Sequence, residues 1–97
     1  MIYCVFIMNV IDIFHFTDGR TVFVGYIFGY EKFIHKCRCT LFLDDQQICE
    51  LSIEGEMLVE KRYKSEKRSL STLDNIRLTL DSIIDHRCIL ICTLPFV

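Results

Sequence analysis

Apolar and polar residues alternate along most of this chain with the period of two that a half-buried β-strand requires. From Ile48 to Glu54 the alternation is cleanest: Cys49, Leu51 and Ile53 fall on one face, Glu50, Ser52 and Glu54 on the other. Phe33 to Leu43 repeats it, with Phe33, His35, Cys37, Cys39, Leu41 and Leu43 facing one way and Ile34, Lys36, Arg38 and Thr40 the other. Ile76, Leu78 and Leu80 against Arg77, Thr79 and Asp81 predict a further strand, and Cys88 to Leu94 a closing one. Thr21 to Phe28 is apolar throughout apart from Gly25. That pattern suits a strand buried on both sides or bent at the glycine. Between it and the apolar stretch ending at Phe16 stands Thr17-Asp18-Gly19-Arg20. Asp-Gly there predicts a two-residue type I′ hairpin turn, with positive φ at both central residues. Gly29 to Lys32, Asp44 to Gln47 and Ser82 to Arg87 are the other turns, and Gly55 interrupts a strand that resumes over Glu56 to Val59.

Short strands at regular spacing with turn signals between them predict a small all-β sandwich or barrel. Closure into a barrel would hide the edges that so apolar a sheet otherwise exposes. The 97 residues suffice for a single domain over 1–97 with one modest core. Residues 1–9 read either as an N-terminal extension, with Met8 as a second start, or as the beginning of the first strand. Residues 60–73 form a basic loop or a strand extension, because their few apolar positions show no helical period.

Composition sharpens the picture in three ways. Eight Phe and four Tyr against one Pro favour strands. A net charge of −2 gives no global field for nucleic acid, so any such contact needs a local patch. Six cysteines without a convincing signal peptide read as reduced thiols in a cytoplasmic protein. No uncharged apolar run reaches the ~20 residues that span a bilayer, so no membrane partner is expected.

The run Val10-Ile11-Asp12-Ile13-Phe14-His15-Phe16-Thr17-Asp18-Gly19-Arg20-Thr21-Val22-Phe23-Val24-Gly25-Tyr26-Ile27 resembles the opening strands of the second domain of translational GTPases such as elongation factor Tu. That family carries V-x-D-V-F-x-I-x-G-x-G-T-V-V-x-G-x-V there, and Val10, Asp12, Phe14, Thr21, Val22 and Gly25 fall in step. Glu56-Met57-Leu58 is similar to its E-M-F, Asp74 to Ile83 to its G-D-N-V-G-L-L-L-R-G-I strand, and Asp85 to Ile91 to its D-I-x-R-G-x-V-L strand. The resemblance implies a small closed antiparallel barrel of six or seven strands, of the translation-protein type. It departs from the family at Arg20, at Thr72-Leu73, at Leu58 and in a longer, basic stretch between Glu56 and Asp74. The sequence contains no G-x-x-x-x-G-K-[ST] phosphate loop, so this chain has no backbone cradle for GTP.

In that family the Glu of E-M-F and the Asn of D-N-V lie at a pocket for the aminoacyl end of tRNA. The matching positions are Glu56 and Asn75, which also fit a solvated strand end and a turn residue. Lys61, Arg62, Lys64, Lys67 and Arg68, with Tyr63 among them, form the one basic patch, diluted by Glu60 and Glu66. Cations beside an aromatic can grip phosphate and stack a base. A charged run is also what a solvated loop looks like. His35, Cys37 and Cys39 are soft-metal ligand types on one predicted face, but their spacing and the neighbouring Leu41 and Leu43 read as core packing, without a metal. Nothing assembles a nucleophile, a base and an oxyanion donor.

The expectation is therefore a non-catalytic binding module without cofactor. It would engage RNA or a translation-related partner through the barrel surface and the basic loop. The alternatives are a stand-alone protein–protein module, such as a small inhibitor or immunity-type partner, and a structural homo-oligomer.

Overall fold

A computed structural model describes residues 4–57 and 66–93. Among the described residues the fold has six strands and one short helix: β1 (Cys4–His15), β2 (Thr21–Phe28), β3 (Cys37–Leu43), β4 (Gln46–Glu56), β5 (Arg68–Thr72), α1 (Leu80–Ile83) and β6 (Cys88–Thr93). The strands close into a barrel in the order β1-β2-β5-β4-β3-β6, with β6 returning to β1. Every neighbouring pair is antiparallel. The small, closed, all-β barrel expected from the strand pattern is what the chain forms, with six strands.

Antiparallel closure gives the barrel two distinct ends. One carries the starts of β1, β3 and β5 and the finishes of β2, β4 and β6; the strap from Gly29 to Lys36 crosses it. The other carries the β1–β2 hairpin, the β3–β4 turn and the segment from Leu73 to Arg87 that contains α1. The interior is filled by the inward positions of every strand, among them Phe6, Met8, Val10 and Ile13 of β1, Phe23 of β2, Leu41 of β3, Leu51 and Ile53 of β4, Leu70 of β5 and Leu90 of β6. For β4 this is the face that the alternation of Cys49, Leu51 and Ile53 predicts.

Gly25 marks a bend, as the sequence suggests. The β1–β2 register slips between Val10, paired with Gly25, and Asp12, paired with Val24, leaving Ile11 as the extra residue of a bulge. A Cβ on Gly25 would land on the carbonyl oxygen of Asn9. Close backbone approach, rather than an unusual φ, is what requires glycine there.

The two hairpin turns exchange the roles expected of them. At Asp18-Gly19 only Gly19 has positive φ. Phe16 N–H donates to the Arg20 carbonyl at 2.8 Å and Gly19 N–H to the Phe16 carbonyl at 3.1 Å. This is a three-residue connection with the glycine in the left-handed position, not a type I′ turn. The Asp18 carboxylate takes the Arg20 N–H at 3.0 Å, which favours the longer form. The two-residue loop with both φ values positive is Asp44-Asp45, at 50° and 68°, between the paired Leu43 and Gln46.

Two further expectations are corrected, and two open readings are decided. The strand predicted from Phe33 begins only at Cys37. Ahead of it the inward residue is Ile34, whereas Phe33 and His35 are exposed and touch edge to face. The strand predicted over 76–81 is an extended cover leading into α1; Ile76 is buried, Leu78 half-buried and Leu80 exposed. Its place in the sheet is taken by β5, so of the two readings of 60–73, a basic loop or a strand extension, the C-terminal part follows the strand. Of the two readings of residues 1–9, an extension or the beginning of the first strand, the second holds for 4–9, which open β1.

Candidate functional site

The strapped end of the barrel is organised by Glu56, the last residue of β4, and Arg68, the first of β5. Arg68 Nε donates to Glu56 Oε2 at 2.9 Å and Nη2 to Glu56 Oε1 at 2.6 Å, a bidentate pair. Arg68 also donates from Nη1 to the Tyr30 carbonyl at 2.7 Å and from Nη2 to the Lys32 carbonyl at 2.6 Å. Glu56 in turn accepts Ile34 N–H at 3.2 Å, and its own N–H donates to the Ile34 carbonyl at 2.8 Å. The strap is thus pinned across the barrel mouth by one ion pair. Burial pushes the Glu56 carboxyl up, but the bonds from Arg68 and Ile34 outweigh it and hold the group below its usual range. Beside the pair lies an open cleft of about 400 Å³ lined by Ile27, Tyr30, Glu31, Phe33, Glu56 and Arg68.

Asn75 is exposed at the opposite end, where it lines a mostly apolar cleft of about 250 Å³ with Leu41, Ile48, Cys49, Ile76, Arg77 and Leu78. The neighbouring Asp74 ties this segment to β4 by accepting Ser52 N–H at 2.7 Å. Glu56 and Asn75, which the resemblance implies share a pocket, are therefore placed at different ends of the barrel. Of the basic patch, Lys61, Arg62, Tyr63 and Lys64 lie outside the described residues. Lys67 is exposed. Arg68 has its donors turned inward on Glu56 and the strap.

Two of the three histidines, His15 and His86, are occupied structurally. His15 Nε2 stands 2.6 Å from the Leu78 carbonyl, which can only accept, so that nitrogen carries the proton. Nδ1 lies 3.1 Å from the Thr21 hydroxyl. Thr21 is buried, out of reach of a substrate. His86 Nδ1 meets Asp44 Oδ2 at 2.5 Å, on the surface beside the β3–β4 turn. The backbone N–H of Arg87 and the His86 ring hold the Asp44 carboxyl below its usual range.

Two features went unnoticed in the sequence. The first is an apolar strip on the outside of the barrel. Phe28 of β2, Ile7 of β1 and Ile91 of β6 are direct cross-strand neighbours. The next row is Tyr26, Asn9, Ile89 and, on β3, Phe42. Phe28 is 62% exposed and Ile7 38%. The signal was present in the unbroken apolar run of β2 and in the 52% apolar composition, but only the register shows that these side chains adjoin. The second is a trio of buried thiols, Cys37, Cys39 and Cys92, whose sulfurs all lie within 4.8 Å of one another. The predicted face grouped Cys37 and Cys39 with His35; the register replaces His35 with Cys92, the direct partner of Cys39. All five cysteines whose side chains are described are free thiols.

Comparison of this chain with protein-family models, with curated proteins and with solved structures finds no match. No helix among the described residues is long and apolar enough to cross a membrane.

Proposed function

We propose that this chain is a non-catalytic binding module that meets a protein partner on the outer strip of β2, β1 and β6. The observation that carries this reading is the contiguous row Phe28–Ile7–Ile91 on a closed sheet. A closed barrel offers no free strand edge, so a partner must be recognised by side chains rather than by strand addition. The two rows contain no charged residue, so the occupant they suit is an apolar protein surface, not a phosphate backbone. The engagement of Arg68 with Glu56 weakens the RNA reading, which rests on Lys61, Arg62, Tyr63, Lys64 and Lys67.

The experiment compares the wild-type chain with Phe28→Ser/Ile91→Ser, and with a variant in which Lys61, Arg62, Lys64 and Lys67 are Ala, in affinity capture at low and moderate salt. Loss of a captured protein in the first variant, with capture otherwise insensitive to salt, supports the protein-docking strip. Capture that is nuclease-sensitive, falls steeply with salt and is lost only in the second variant overturns it in favour of RNA.

A further inference from the structure

Cys37 and Cys39 project from the same face of β3, and Cys92 projects from β6 directly opposite Cys39. All three are buried, at 2%, 3% and 0% exposure. The residues paired with them are Ile53, Leu51 and Phe6, so the surrounding wall is apolar. Cys88 and Cys49, the other cysteines whose side chains are described, do not join the group. The three sulfurs are not equivalent. Hydrogen bonds from the Cys39 and Cys92 thiols hold Cys37 below its ordinary range against the burial that raises it. Cys39 and Cys92 are raised, first by the bonds they make to Cys37. The trio sits at the strapped end of the barrel, since Cys37 opens β3 and Cys92 lies next to the last residue of β6.

We propose that Cys37, Cys39 and Cys92 form a trigonal thiolate site for a soft monovalent cation, Cu(I). Metal–sulfur bonds of about 2.3 Å place three sulfurs around a central ion roughly 4 Å apart, inside the 4.8 Å within which the trio already lies. Hard cations want oxygen ligands and are excluded by the donor set. Zinc takes four ligands in a structural site, and the group among the described residues holds three. Cu(I) is satisfied by thiolates alone and accepts three of them. Cu–S bonds form as the thiol protons pass to solvent, with no change of oxidation state, so affinity rises with pH. The strap held by Glu56 and Arg68 spans the same mouth of the barrel.

The test is an anaerobic titration of the reduced chain with Cu(I) supplied as its bathocuproine disulfonate complex. The expected result is transfer of one Cu(I) per chain, a raised thermal midpoint because the ion binds the folded state, and the luminescence of a water-shielded Cu(I) thiolate. Cys92→Ser loses the emission and at least tenfold in affinity, whereas Cys49→Ser and Cys88→Ser keep both. X-ray absorption on the loaded wild-type chain needs no variant and shows three sulfur neighbours. No transfer, unchanged affinity in Cys92→Ser, a lowered thermal midpoint, or a first shell containing nitrogen or oxygen would each overturn the proposal.

Discussion

At the scale of single residues, Glu56 and Arg68 do more than their positions at two strand ends suggest. Their side chains are only 13% and 18% exposed, and together they satisfy two strap carbonyls and one strap N–H. Glu56→Gln keeps the shape and removes the charge, leaving Arg68 half-buried without its counter-ion. That costs about 1–3 kcal/mol at neutral pH, measured by denaturant unfolding. The pH dependence has a definite sign. The folded-state carboxyl lies below its unfolded value, so its contribution is complete above the unfolded pKa of about 4.3. It is lost as pH falls through the folded value. The gap between wild type and Glu56→Gln should therefore narrow as pH drops through the carboxylate range; a constant gap would mean that the pair does not hold the strap. This interaction could not be read from sequence. Glu56 and Arg68 stood in different predicted elements, one in a strand and one in a basic loop, and only the β4–β5 pairing brings them together.

At the scale of elements, periodicity was reliable where one face of a strand is buried and the other wet. Leu51 and Ile53 against Glu50 and Ser52 are such a case. It failed where an extended segment covers the barrel without joining the sheet. Ile76, Leu78 and Leu80 alternate as a strand does, because any extended chain has that period; a partner strand is what separates the two. The opposite failure is β5, whose Arg-Ser-Leu-Ser-Thr has one apolar residue yet is half interior. It buries Thr72 by donating its hydroxyl to the Ser52 carbonyl at 2.6 Å and by accepting Asp74 N–H at 3.1 Å. Turn chemistry was half legible. The Asp-Gly signal found a hairpin, but the true type I′ geometry is spent on Asp44-Asp45, where neither residue is glycine. Asp45→Gly relieves left-handed strain of about 1–2 kcal/mol, less the ~0.4–1 kcal/mol of added unfolded-state freedom. Its surface ion pair with Arg87, at 3.6 Å, is worth little. A net gain of about 0.5–1 kcal/mol is expected from thermal unfolding. Asp44 is not interchangeable with it, because its carboxylate also holds His86 and the Arg87 N–H. Gly25→Ala acts in the other direction. Its Cβ meets backbone rather than a movable side chain, so the bulge must shift, at about 3 kcal/mol or more.

For the whole molecule, closure decides what can be reached. Every strand is paired on both sides, so no edge frays to admit solvent, and core thiols are shielded by the barrel as a unit. Cys88 sits at the hairpin end, and burial pushes its thiol up to about 11; the thiolate that would react is scarce as well as hidden. Cys37, Cys39 and Cys92 sit at the other end, where the only described cover is a strap held by one ion pair. The two ends should therefore open by different routes. In a Cys4→Ser background, alkylation followed by mass spectrometry should label half-buried Cys49 first. Cys88 should follow only at the rate of global unfolding. The trio should react no later than Cys88, through local release of the strap. Arg68→Ala then gives the decisive comparison. It removes the clamp on the Tyr30 and Lys32 carbonyls, so it should speed labelling of the trio by more than it speeds Cys88. Equal acceleration at all four buried thiols would show that the strap opens only when the barrel does, and that the strapped end is not a separate gate.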